Sequence, residues 1–415
     1  MSDTRTVVDD LAELVEGHAR EATEQDQIGG TPARVVAAPG SSEQASALLA
    51  AAARHGLRVG ARGRGTAMHW GAPPRSLDLL VDTHRLDQIV EHVAGDLVCI
   101  AQAGTTLDAV NERVRAHGQQ LALDQPYPGA SIGGTLSTAR SGHRRLQYGA
   151  PRDLVLGVTL VRADGVIARA GGKVVKNVAG YDLAKLVTGA YGTLGLLTQA
   201  TFRLHPLPAA RRWLTLTCPD PASAAAHALA LAGSQLAPTA VEVQREAGSS
   251  STRVSVLLEG TARGVDERTV LALRQLGEQA GEAADGDQPG ALPAARDGVL
   301  IKLAVPLTRV GALLAAAIDA EDHHGVPVRV AGSAGVGVLY AGCPGVGDPD
   351  ALAATVRDLR AACAGGSAVV LHAPAAVRER VDAWGPVPGL DLMRRVKDQF
   401  DPEHRLAPGR FVGGI

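Results

Sequence analysis

Three glycine-rich stretches hold the residues of this 415-residue chain whose types and spacing suit chemistry. The first, GARGRGTAMHWGAPP, follows an apolar run. Gly60, Gly63 and Gly65 remove side chains where backbone N–H groups can converge on an anion. It is not a P-loop, because no GK[ST] follows. Pro73 and Pro74 leave no room for the helix of a dinucleotide-binding turn. The second, DQPYPGASIGGTLSTARSG, sets Gly133, Gly134 and Thr135 at the start of a short predicted helix, where free N–H groups would face a phosphate. The third is GGKVVKNVAGYDLAKLVTGAYGTLGLL. Lys173, Lys176 and Lys185, three of only five lysines, fall here within 13 residues. Gly189, Gly192 and Gly195 then lead into an apolar strand that a flat ligand can approach closely. Taken singly, each stretch also reads as an ordinary loop, helix entry or solvated face.

The elements that must position these stretches alternate from residue 31. RVVAAP, LRVGA, LDLLVDT and DLVCIAQAG read as strands, and a capping-box start at Ser41 and Gln44 opens a helix ending near His55. TTLDAVNERVRAHG is a helix with Leu107, Val110 and Val114 on one face. Residues 155–160, the Asp164-Gly165 turn and VIARA make a hairpin. Residues 181–187 are helical, and LGLLTQATFRLHP is a long strand. After residue 208 the order becomes β-α-β-β-α, then β-α-β-β-α-β. Two such split βαβ arrangements predict one antiparallel sheet with helices on one side. The predicted division is an acidic N-terminal helix over 1–30, a first domain over 31–208, a second over 209–389 and a C-terminal helix and arm over 390–415.

Composition narrows the function. The formal net charge of -2 lacks the basic footprint of a nucleic-acid binder, and 11 aromatic residues are too few for base-stacking platforms. Cys99, Cys218, Cys343 and Cys363 form no CxxC pair, so neither a zinc ribbon nor an iron–sulfur site is legible. The start lacks the basic and apolar regions of a signal peptide, and no apolar run reaches the roughly 18 residues of a membrane span. The expected setting is cytoplasmic, with any membrane attachment made peripherally through partners. Residues 1–30 hold eight acidic and two basic side chains, with Val7, Val8, Leu11, Leu14 and Val15 at helical spacing.

Together the three glycine stretches resemble the vanillyl-alcohol oxidase (PCMH-type) FAD-binding family. GGKVVKNVAGYDLAKLVTGAYGTLGLLTQATFRLHPLP is similar to the FAD-binding subunit of bacterial glycolate oxidase, and FDPEHRLAPGR adds support. The resemblance implies an α+β fold: a PCMH-type two-part FAD-binding domain followed by an antiparallel-sheet α/β-plait cap domain. It implies that the backbone of Arg62, Gly63, Arg64, Gly65 and Thr66 holds the FAD pyrophosphate. Pro126, Ser131, Ile132, Gly133, Gly134, Thr135, Ser137 and Gly142 would add pyrophosphate and ribityl contacts, while Gly195, Leu196 and Leu197 would line the flavin.

Departures from the family pattern bear on the chemistry. Related catalytic subunits carry Glu within GSEGTLG, where this chain reads GAYGTLG with Tyr191. Their HxH pair on a cap strand has no counterpart in VRVAGSAGVGVLYAG. His323 and His324 are adjacent at a helix end, His372 ends a strand, and His69 stands off the flavin-attachment position. The expectation is therefore non-covalent FAD and no metal. Lys173, Lys176, Asn177, Tyr181 and Asp182 are the polar candidates for catalysis, a base and a cation over the flavin. A turn with a helix cap at residues 177–182 is the competing reading. Three functions follow from the resemblance. One is an FAD subunit of a glycolate-oxidase-like complex that takes electrons from a 2-hydroxy acid and works with a catalytic flavin subunit and an iron–sulfur subunit. The others are a standalone oxidase or dehydrogenase of an alcohol or hydroxy acid, and a subunit whose FAD is mainly structural.

Overall fold

β-Branched and leucine-rich runs become short strands whose apolar side chains fill the cores. The computed structural model describes residues 4–125, 127–173, 182–277, 279–283 and 289–415. The chain divides into two units. The first comprises Met1–Ser141, Ala150–Leu207 and Val387–Ile415, and the second Gly142–Gly149 and Pro208–Pro386. The predicted N-terminal and C-terminal segments thus both belong to the first unit.

The first unit has two sheets. The smaller runs in the order Ala19–Glu21, Val35–Ala37, Leu79–Asp82, Val59–Arg62, and its last three strands are parallel. The acidic N-terminal helix spans Thr4–Leu14 and buries Val7 and Leu11, followed by Val15, against Leu48 and Leu49 of helix Ser42–Arg54. It packs on its own unit. Fully burying each such leucine contributes roughly 1.5–3 kcal/mol. Ser41 Oγ accepts from Gln44 N–H at 3.1 Å, as the capping signature predicts. The Gln44 side chain reaches back to Gly40 N–H at 2.7 Å rather than to Ser41. The larger sheet is antiparallel, ordered Ile167–Gly171, Val155–Val161, Leu196–Arg203, Val98–Gln102, Ile89–Val93. Helices Leu107–Arg115 and Ile132–Thr138 bury Leu107, Val110, Val114, Ile132 and Leu136 in its core.

The second unit is one eight-stranded antiparallel sheet: Gly281–Glu282, Ala210–Cys218, Thr252–Gly260, Ala240–Arg245, Arg329–Ser333, Val338–Cys343, Val299–Ala304, Ser367–His372. Helices Pro221–Ala232, Ala262–Leu276, Val310–His324 and Pro349–Ala362 share one core with Leu214, Val256, Ile301 and Leu339. Trp213, Ala240 and Leu257 form a separate cluster, consistent with helices on a single face. Period-two alternation specifies this arrangement, since each strand turns only alternate residues toward the helices. No helix among the described residues is long and apolar enough to cross a membrane.

The C-terminal segment returns to the first unit. Helix Leu390–Phe400 sets Val396 and Phe400 against the larger sheet's core. The arm beyond it lies along the strand Val59–Arg62, where Val59 N–H donates to Arg405 C=O at 2.8 Å and Ala407 N–H to Val59 C=O at 2.7 Å. Lys397 and Asp401, both wholly buried, join at 2.6 Å. Lys397 Nζ also donates to Thr193 C=O at 2.8 Å and Leu406 C=O at 3.0 Å. Burial pushes the lysine's pKa down while Asp401 opposes that shift. Removing one partner of such a pair strands a buried charge. Lys397→Met should therefore lower unfolding free energy by about 3–5 kcal/mol in urea titrations, and Lys397→Met with Asp401→Leu should lose less.

Candidate functional site

A cleft of about 680 Å³, open solvent at its mouth included, lies within the first unit. Its first wall is residues 61–68, which leave the strand Val59–Arg62. The Arg62 guanidinium is spent on two carboxylates, Asp82 at 2.7 Å and Asp26 at 2.9 Å. Asp26 also pairs with Arg20 at 2.7 Å, and that bond is the main reason its carboxyl titrates well below the ordinary range. Arg64 Nε donates to Gly104 C=O at 3.1 Å, and Thr83 Oγ1 to Arg62 C=O at 3.2 Å. These bonds pin the loop through side chains and carbonyls. Among the described residues, nothing accepts a hydrogen bond from the N–H groups of Gly63, Arg64, Gly65, Thr66 and Ala67. Five consecutive donors are thus left beside a cleft, the arrangement of an anion nest.

The second wall is the helix Ile132–Thr138, and here the structure corrects the sequence reading. Its leading N–H groups are already bonded within the protein. Ile132 donates to Thr105 C=O at 2.9 Å, Gly133 to Ala103 C=O at 2.7 Å and Gly134 to Ser131 Oγ at 3.2 Å. The expected free N-terminus is used to dock the helix on the turn at 103–105. What this wall offers the cleft instead is the surface of Ser131, Gly133, Gly134, Ser137 and Thr138. Thr135 Oγ1 is buried and has no hydrogen-bond partner among the described residues. Gly63 explains how closely the two walls meet, since a Cβ there would lie 2.1 Å from Ser131 Oγ.

The third wall is Tyr191, Gly192, Gly195, Leu196 and Leu197. It hangs from the helix by Gly189 N–H to Leu136 C=O at 2.8 Å and Tyr191 N–H to Ser137 C=O at 2.9 Å. Leu196 and Leu197 are held by their pairing with Val161 and Leu160. Tyr191 adopts φ 54°, a left-handed conformation unusual for an aromatic residue. Arg410 also lines the cleft, only 6% exposed, with its guanidinium 5.7 Å from the Tyr191 ring centroid. Burial lowers its pKa to about 10, which leaves it charged at neutral pH. Neither Arg64 nor Arg410 has a carboxylate partner among the described residues. The cleft therefore carries positive charge suited to a polyanion.

Of the residues expected to contact a cofactor, Arg62, Gly63, Arg64, Gly65, Thr66, Ser131, Gly133, Gly134, Ser137, Gly195, Leu196 and Leu197 line this one cleft. Ile132 and Thr135 are buried in the helix behind it. Gly142 lies in the second unit, and Pro126 lies outside the described residues. Lys176, Asn177 and Tyr181 also lie outside them. Lys173 pairs with Glu91, and Asp182 caps helix Leu183–Val187 by accepting from Lys185 N–H at 3.2 Å. His324 pairs with Asp358 at 2.8 Å. His69 sits 6.0 Å from Tyr127 and 6.5 Å from Trp70, ring to ring. Arg410 escaped the sequence reading although its motif, LAPGR, was in view; nothing local shows where an extended arm returns.

Comparison with known proteins fits this geometry. Residues 33–171 match the family model FAD_binding_4, described as FAD binding domain. Residues 33–171 are thus similar to an FAD-binding domain. It is 38% identical over 175 residues to D-lactate dehydrogenase of Archaeoglobus fulgidus, covering 41% of this chain and 39% of that one. It is 26% identical over 418 residues to glycolate oxidase subunit GlcD of Bacillus subtilis, covering 91% and 88%. The match thus spans about two-fifths of the dehydrogenase's length and most of the GlcD subunit's. The fold is that of p-cresol methylhydroxylase, with a TM-score of 0.78 over 98% of this chain and 96% of the other at 16% identity, which speaks for fold alone.

Two glycines test the cleft's construction. Gly63→Ala should cost about 1–3 kcal/mol of stability through the Ser131 clash. Gly65→Ala, with φ 73° and open space around its Cβ, should cost about 1–2 kcal/mol from backbone strain alone. Urea unfolding of each variant measures both.

Proposed function

We propose that this chain is an FAD-dependent oxidoreductase of 2-hydroxy acids, serving as the flavin-carrying subunit of a glycolate-oxidase-like complex. The observation that carries the reading is the row of five N–H groups from Gly63 to Ala67 that find no acceptor among the described residues, opening on a cleft between glycine surfaces. Such donors suit a pyrophosphate, and the uncompensated Arg64 and Arg410 suit its charge. Ser131, Gly133, Gly134 and Ser137 would flank the ribityl chain, and Gly195, Leu196 and Leu197 the ring. When bound, the flavin would supply the two-electron redox chemistry.

The substrate class follows the names of the relatives, which act on D-lactate and belong to a glycolate oxidase. The binding proposed is non-covalent, as the sequence leads one to expect. The partners proposed are a catalytic flavin subunit and an iron–sulfur subunit, because electrons need a path out and Cys99, Cys218, Cys343 and Cys363 are all buried and far apart in sequence.

The experiment compares the isolated full chain with the native complex purified through it, each scanned in the visible range while glycolate or D-lactate is added without oxygen. Both should be yellow, and only the complex should bleach. Bleaching of the isolated chain would establish a standalone enzyme, and bleaching of neither a structural flavin. A colourless chain that also fails to take up added FAD overturns the proposal. Gly134→Trp should abolish FAD retention, because its indole would occupy the cleft, while the far-ultraviolet circular dichroism stays unchanged.

A further inference from the structure

We propose that Trp70 and Arg140, with the Tyr127 ring beside them, form a binding site for a small carboxylate next to the cleft. That the carboxylate is a 2-hydroxy acid or its oxo-acid product rests on the function proposed above; the site itself rests on what these side chains offer. The first wall of the cleft ends at Met68, and the chain runs on through His69 to Trp70. The helix wall ends at Thr138, and the chain runs on through Ala139 to Arg140. Trp70 N–H donates to Ala67 C=O at 3.1 Å, so the loop turns sharply there. Ala139 closes the helix in a left-handed conformation, φ 47°, and Arg140 N–H reaches back to Thr135 C=O at 3.2 Å. The Arg140 guanidinium then lies 5.6 Å from the Trp70 ring centroid and 5.6 Å from that of Tyr127. The two rings are 6.2 Å apart and inclined by 67°.

Trp70 and Arg140 are each only 2% exposed, yet Trp70 Nε1–H meets no acceptor among the described residues. A buried indole N–H ordinarily has a partner, because an unmet donor is costly away from water. The indole N–H can only donate, and so can every N–H of a guanidinium, so a ligand that they share is an acceptor. A carboxylate serves both. It is planar, its two oxygens take several donors at once, and its charge is opposite to that of the guanidinium. The ring faces hold Arg140 by cation–π attraction, a contact that takes up none of its donors. The same geometry disfavours a cationic ligand, since Arg140 fills the place that an ammonium ion takes in an aromatic cage. Size follows from burial: two donors this deeply set are reached by an acid of few atoms.

The test is calorimetric titration of the full chain as purified, its FAD content read from the visible spectrum, with sodium glycolate, sodium glyoxylate and ethylene glycol as probes. Ethylene glycol is glycolate with a hydroxymethyl group in place of the carboxylate. The unsubstituted chain should bind at least one of the two acids and not the diol. Arg140→Met should weaken that binding at least about tenfold, and Trp70→Phe, which keeps a ring and loses the N–H, about fivefold, as charged and neutral hydrogen bonds differ in strength. Arg140→Lys keeps the charge without the planar fork and should fall between the methionine variant and the unsubstituted chain. Should Arg140→Met misfold, the other two variants carry the comparison. Glycolate bound alone marks the substrate and glyoxylate alone the product, and either or both supports the site. Binding of the diol alongside an acid, equal affinity in every variant, or failure of both acids to bind overturns it. A chain that takes up no FAD and still binds an acid through Arg140 keeps the site and removes the flavin reading instead.

Discussion

One ammonium group ties the cleft together. Lys397 is wholly buried, and its three protons are met by the Asp401 carboxylate and by the carbonyls of Thr193 and Leu406. Those oxygens belong to three places: a helix end, the glycine turn of the third wall, and the returning arm. Asp401 Oδ2 also accepts from Leu406 N–H at 2.7 Å, so the arm is held through both strands of its own backbone chemistry. A buried charge tolerates only an arrangement in which every donor is met. That requirement fixes where the arm leaves, and so where Arg410 arrives. The chain has only five lysines, and this one is placed where a guanidinium's planar fork would not meet three oxygens lying in different directions.

The cleft divides its hydrogen-bonding capacity between support and ligand. Helix Ile132–Thr138 spends its first N–H groups on Thr105, Ala103 and Ser131, which brings it hard against the 103–105 turn and lets Gly63 pass above Ser131. The loop at 63–67 does the reverse, with its side chains and carbonyls anchored and its N–H groups left over. An anion bound there, as proposed, would meet preformed donors on a loop whose position is already determined, which would lower the ordering cost of binding. Charge follows the same division. Arg62 is neutralised by Asp26 and Asp82, while Arg64 and Arg410 are not.

Much of this was legible in the residues. The antiparallel sheet of the second unit followed from alternating hydrophobicity and helix caps, both local signals that burial of one face reinforces. The three glycine stretches identified most of the cleft because close backbone approach excludes side chains wherever it occurs. Asp182 was read correctly as a helix cap as well as a catalytic candidate, and it does cap the helix. The acidic N-terminal helix was visible from its spacing, but its docking was not, because its apolar stripe of Val7, Leu11 and Val15 would suit any apolar surface.

The sequence by itself determined the kinds of element and the glycines that bare the backbone, since each depends on residues near one another along the chain. Only the tertiary structure decided which N–H groups stay free. That depends on distant carbonyls: Ala103 and Thr105 consume the donors of the helix, and no such acceptor among the described residues reaches residues 63–67. It likewise decided that Arg410, more than 200 residues from Tyr191, shares a wall with it. Periodicity and composition carry no record of such pairings, because a buried charge is stabilised by whichever groups the whole fold brings to it.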